Sequence, residues 1–444
     1  MKTRIEKAVL LPVHFTPEPE EEFTQQLATL HRLLGDEAEF LSAVSLGSKI
    51  PDDADAVVLP QMLGAAYRSM ARLKELRVPI LIITSEFGTV SMWDWEILAY
   101  MRSEGIASPA PSSLGQARKI CRGLGIKRQL RRSRFLVFQD NPGAGFQASI
   151  FKRFYWWENE CTERICAKFG IEIVRQSYKA LGEAARSISD SEAQAAADAR
   201  KVPLQGVPSR SYLSALKLYL AVKRELDADP SIQAAGMNCL NESHFSDTTP
   251  CLAWNILYEE ENLIWGCEAD TMAMLTKLIL HRSLGVPIMM TNLYPFLMGQ
   301  AALKHERIPS FPAVPEPENC ILVAHCGYLG VLPQSFSTEW QLKPKVLAIV
   351  NDNATAIDAR LPCGQVTLAK LHPTLDTMSV AEGALESYVQ YPSSDCENGA
   401  VIRVKNGPLL VQSLASHHYL LTTGHNETDI RMLGAIFDFS VESL

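Results

Sequence analysis

The chain has 444 residues, 47% hydrophobic and 21% charged, with a formal charge of −8. That composition excludes a disordered or fibrous chain and argues against a nucleic-acid surface, and the length predicts two or three domains. Ten cysteines are scattered without a C-x-x-C pair, which suits a reducing cytosol better than a disulfide scaffold or a zinc ribbon.

Residues 8–13 read as an opening buried strand, followed by a helix with Phe23, Leu27, Leu30 and Leu34 on one face. Residues 56–60 form a second strand, and a helix carrying Leu63, Tyr67, Met70 and Leu73 follows. A third strand spans residues 79–84 and releases Ser85-Glu86-Phe87-Gly88-Thr89 at its C-terminal end, with Trp93 and Trp95 at the next helix start. Alternating strands and helices predict a parallel sheet covered on both faces. The basic run 127–134 reads as a solvated domain junction.

A second α/β unit opens at residues 134–139. Its first helix carries Ile150, Phe154, Trp157, Cys161, Ile165 and Phe169 in one stripe. A strand at 171–174, an Ala- and charge-rich stretch at 181–201 and a helix over 211–226 come next. Residues 263–267 then read as a strand, and Asp270 as the N-cap of a helix bearing Met274, Leu278 and His281. Glu268 therefore stands between strand and helix, where open α/β folds bind ligands. The next strand ends at Met290, with Thr291-Asn292-Leu293-Tyr294 behind it.

From residue 306 prolines cluster and the helical period stops. Short apolar strands at 320–325, 346–350, 365–371, 400–404 and 419–422 predict a β-barrel, closed by a helix capped by Asn426 that buries Ile430, Leu433 and Phe437. The expected fold is therefore α/β: two Rossmann-like parallel domains over 1–132 and 133–305, then a C-terminal β-barrel over 306–444. No apolar run approaches a membrane-spanning length and no signal-peptide core is visible, so a cytoplasmic protein with no membrane partner is expected.

Two constellations carry chemistry. The turn 141–148 fits G-x-G-x-x-A between a strand and a helix, but the acidic residue expected after the next strand is missing and Arg175 is the nearest charge. A plain glycine turn is the simpler account, with an NADP-dependent oxidoreductase as the outside alternative. The other constellation is distributed: Glu268, Asn292, His325 and the pair His417-His418 lie near strand ends, and Glu, Asn and His together suit a hard or borderline divalent ion such as Mn²⁺. Taken singly, each histidine is more often a core or surface residue.

Cys267-Glu268-Ala269-Asp270, followed by Leu275-Thr276, resembles the C-E-G-D…L-T signature of L-fucose isomerases and the E-G-D of L-arabinose isomerases. Residues 249–253, Val323-Ala324-His325-Cys326, Val366-Thr367-Leu368-Ala369-Lys370-Leu371 and Ser416-His417-His418-Tyr419 resemble further segments of these families, in the same order. The resemblance spans most of residues 249–444; the N-terminal half matches only in architecture.

It implies aldose–ketose isomerisation of a small-molecule sugar through a cis-enediol on Mn²⁺, in a cytoplasmic homotrimer or homohexamer whose sites are shared between subunits. Glu268 would be metal ligand and base; Asn292, His325 and one of His417 and His418, taken as His418, would complete the shell. Glu86, Trp93 and His417 are the candidates for substrate contact, although for Glu86 a helix-start acid is the simpler account. At Asn292 the sequence departs from the pattern, because the families carry a second carboxylate there and an amide cannot relay a proton near neutral pH. A catalytically silent carbohydrate-binding homologue is therefore the alternative.

Overall fold

The computed structural model describes residues 5–60, 64–83, 93–141, 158–304, 307–325, 329–347, 349–394 and 397–444. In the N-terminal part, β1 (Ala8–His14), β2 (Ala38–Phe40), β3 (Val44–Ser45), β4 (Ala56–Leu59) and β5 (Ile80–Ile82) form a parallel sheet. It is ordered β2-β1-β4-β5, with β3 on the far part of β1. Every residue of β4 and β5 is buried, as unbroken apolar runs in a doubly covered sheet should be. The helix expected around residues 63–73 is two short ones, Gly64–Arg68 and Met70–Lys74. Its assumed apolar stripe fails at Tyr67, which is 65% exposed.

A second parallel sheet, ordered β7-β6-β8-β9, contains β6 (Arg134–Phe138), β7 (Glu172–Gln176), β8 (Ile232–Met237) and β9 (Ile264–Gly266). The stretch at 181–201 is helical, divided between Tyr178–Ser187 and Asp190–Asp198. The glycine turn at 143–148 lies outside the described residues.

The remaining strands close a six-stranded antiparallel barrel. These are β10 (Ile288–Pro295), β11 (Cys320–Ala324), β14 (Gly364–Leu371), β15 (Thr377–Gln390), β16 (Asn398–Val404) and β17 (His418–Thr423). They run β14-β17-β10-β11-β16-β15, and a β14–β15 pairing completes the circle. A hairpin of β12 (Glu339–Pro344) and β13 (Thr355–Arg360) stands apart, and β18 (Ser440–Ser443) joins β15 in parallel.

Three local expectations change. The described residues at 346–350 are not a strand, and the neighbouring ladder is formed by β12 and β13 instead. The strand expected to stop at Met290 continues to Pro295, because β17 pairs with its first half and β11 with its second. Asn426 does stand before the helix Glu427–Phe437, but its amide donates to Thr422, Thr423 and Gly424 and does not cap.

One helix organises the whole. Thr271–Leu284 is buried along its entire length, packing on β8 and β9, on the helix Leu114–Leu130, and on barrel strands β10, β14 and β17. A helix apolar on all sides is what such a position demands. Its polar residues are compensated individually: Lys277 Nζ donates to the Trp265 carbonyl at 2.9 Å, and Arg282 donates to Gln233 and Asn262. The N-terminus of this helix is thereby held against the barrel wall.

Candidate metal centre

Between β9 and that helix the chain makes a single tight turn, Cys267–Ala269. Glu268 (φ +53°) and Ala269 (φ +58°) are both left-handed, a conformation that costs an L-residue roughly 1–2 kcal/mol. Close packing enforces it. A Cβ on Gly236 in β8 would come 3.0 Å from the Cα of Ala269, and one on Gly266 would come 2.5 Å from Cγ of Met274. The turn thus lies directly on the sheet, with Glu268 buried beneath the barrel.

The barrel register brings the other residues to this place. Asn292 of β10 pairs with His418 of β17 on one side and with Ala324 of β11 on the other, and His325 directly follows β11. His325 Nε2 lies 3.9 Å and His418 Nε2 3.8 Å from the same oxygen, Glu268 Oε1. The two rings meet edge-on with centroids 5.3 Å apart. One donor atom from each of the three residues falls within 4.8 Å of the others, and all three residues are buried. Metal–ligand bonds of about 2.0–2.2 Å at tetrahedral angles would set donors about 3.4 Å apart, so each Glu–His separation would close by about half an ångström.

Outside this triangle lie groups that fix the imidazoles. Asp270 Oδ2 is 3.0 Å from His418 Nδ1, so Nδ1 donates and Nε2 faces Glu268 as an acceptor. Asp270 Oδ1 accepts from the Ala273 backbone, confirming the expected cap, and Lys370 Nζ of β14 donates to Oδ2 at 3.2 Å. Burial pushes the Asp270 carboxyl up, but Lys370 and His418 outweigh it and hold it well below the usual carboxylate range. Burial likewise pushes the His325 imidazole down, while hydrogen bonding to Cys267 and the charges of Cys267 and Glu268 more than offset that and lift it to about 9. His325 Nε2 is buried without a hydrogen-bond partner among the described residues. An unpaired buried nitrogen aimed at a carboxylate is what a missing cation would explain.

Glu268, His325 and His418 are therefore a group that can hold a metal ion. Two imidazoles and one carboxylate suit a borderline divalent cation. Asn292 is the register partner of His418 across β10 and β17; its Nδ2 donates to the Tyr294 hydroxyl at 3.2 Å, and its Oδ1 is buried without a partner among the described residues. His417 is not part of the triangle. Its ring packs on that of His418, centroids 4.2 Å apart, and burial together with the neighbouring His418 and His325 pushes its imidazole well down.

Glu86 lies outside the described residues, and Trp93 opens the helix Trp93–Ser103. Arg175, the residue on which the NADP alternative depended, is bonded to Asn159 Oδ1 at 2.7 Å. The sequence reading missed Lys370 and used Asp270 only as a cap. A lysine in an otherwise apolar strand was the available signal for Lys370, since a buried ammonium needs a carboxylate.

No known protein-family model matches the chain, and no curated protein matches its sequence.

Proposed function

We propose that this is a metal-dependent sugar-processing protein of the fucose/arabinose isomerase type, with Rossmann-like N-terminal domains, acting on a sugar or sugar derivative as an aldose–ketose isomerase. The observation that supports it is the convergence of Glu268, His325 and His418, drawn from segments that are far apart in the chain, on one point. A divalent ion held there, Mn²⁺ in this reading, would polarise the two adjacent oxygens of the sugar and lower the cost of removing the proton between them. Glu268, in its left-handed turn, would be the carboxylate that takes that proton. Asp270 and Lys370 keep His418 in the tautomer that leaves Nε2 toward the ion. Asn292 can orient a hydroxyl but cannot return a proton.

That last point favours a second reading, a carbohydrate-binding homologue with little turnover. A sugar panel scored for ketose formation on Mn²⁺-loaded protein separates the two. The isomerase reading predicts turnover of at least one aldose by the wild type. Inactive wild type with a gain of about 10²–10⁴-fold over background in Asn292→Asp identifies the silent homologue. Inactivity of both proteins on every sugar contradicts isomerase chemistry.

A further inference from the structure

Charge at the metal centre bears on the kind of ligand it takes. The described ionisable groups packed around the triangle include Glu268, Asp270, Lys370, His417 and the cysteines Cys239, Cys251 and Cys267, with Lys277 on the helix behind. Asp270 and Lys370, 0% and 3% exposed, form an ion pair and cancel formally. Among these described groups Glu268 is then the one carboxylate left to face a divalent ion, and the two histidines bind as neutral ligands. Lys277, seated 3.6 Å over the Trp265 ring, adds nothing negative. Paired in register with His418, where a carboxylate would add to the balance, stands the neutral amide of Asn292 with its Oδ1 unpartnered among the described residues. A buried site does not tolerate uncompensated charge, and water cannot reach in to screen it.

We infer that the ligand itself supplies the missing negative charge: the site takes a small hydroxy acid, bound through its carboxylate and adjacent hydroxyl, in preference to a neutral sugar. A carboxylate oxygen of the ligand would lie where an aspartate side chain at position 292 would otherwise reach. Asn292 then sets specificity, since its amide Nδ2 can donate to that oxygen where an aspartate would repel it. This inference rests on the metal-centre reading of the previous section and narrows its substrate to sugar acids and related hydroxycarboxylates.

The test uses the full chain loaded with Mn²⁺, with metal content measured first, and calorimetric titration of glycolate against ethylene glycol, its neutral analogue. Any divalent ion prefers glycolate, so the informative quantity is how the preference changes on substitution. Asn292→Asp should narrow it at least tenfold, and Asn292→Leu, which leaves the charge unaltered, should keep it within about threefold. Should the aspartate variant fail to fold, Lys370→Gln removes the same unit of charge while still donating to Asp270, and should narrow the preference in the same direction. A preference unchanged in Asn292→Asp and in Lys370→Gln overturns the inference, as does equal narrowing by Asn292→Leu. Protein that never loads metal overturns this inference and the metal-centre reading together, whereas loaded protein lacking the charge effect overturns this inference alone.

Discussion

At the scale of single residues, the structure divides the histidines by what lies behind each ring. Asp270 stands behind His418 and Cys267 beside His325, whereas the His417 ring packs on that of His418. The adjacent pair could not be separated by sequence alone, because strand direction decides which ring turns inward. Asp270→Asn should weaken metal binding about 10–100-fold, as loss of an orienting carboxylate does elsewhere, and should also lower thermal stability because buried Lys370 loses its partner. Competition against a fluorescent chelator checks this, and an unchanged affinity would remove Asp270 from its positioning role. The raised His325 value gives a second expectation. Below about pH 9 the metal-free imidazole carries a proton that the ion must displace, so apparent affinity should rise with pH, by up to about tenfold per unit, and level off near 9. Titrations in buffers of different ionisation enthalpy should show about one proton released per ion near neutrality. Affinity flat from pH 6 to 9 would contradict it.

At the scale of elements, the turn Cys267–Ala269 depends on two glycines that lie under it, Gly236 and Gly266. Gly236→Ala would push backbone against backbone, at about 1–3 kcal/mol for an overpacked core position, and should weaken metal binding as Glu268 shifts. Thermal unfolding and metal affinity should fall together; a variant with wild-type affinity would show that the turn does not need this contact. Much of this level was legible in the sequence: the strand before Glu268, the Asp270 cap, the parallel strands and most barrel strands follow from apolar runs and turn residues. What escaped did so for identifiable reasons. β12 and β15 contain charged and small residues, and only their partners in the ladder make them strands. The continuation of β10 through Asn292 is likewise imposed by β11 and β17.

At the scale of the whole molecule, the parallel-sheet unit and the barrel are joined through the buried helix Thr271–Leu284, and the candidate site lies where they meet. The basic run at 127–134 makes specific bonds to several parts of the chain. Lys127 reaches the Ile436 carbonyl, Arg128 pairs with Asp55, and Arg134 pairs with Glu172 and Asp229. Among the described residues no helix is long and apolar enough to cross a membrane. Glu268, His325 and His418 were legible in the sequence only as an ordered set of candidate ligands, and the fold brings their donor atoms together. An ion shared between a turn of the parallel-sheet unit and two segments of the barrel would bind the folded state alone, stabilising it by about 2.7 kcal/mol at a concentration of 100 times Kd.

The most direct measurement is metal stoichiometry, by elemental analysis and titration, in wild type, Glu268→Gln and His418→Ala. One divalent ion per chain in the wild type, lost or weakened at least a hundredfold in both variants, is the predicted result. A wild type that binds no divalent ion, or variants that load it undiminished, would contradict the metal centre and the sugar chemistry built on it.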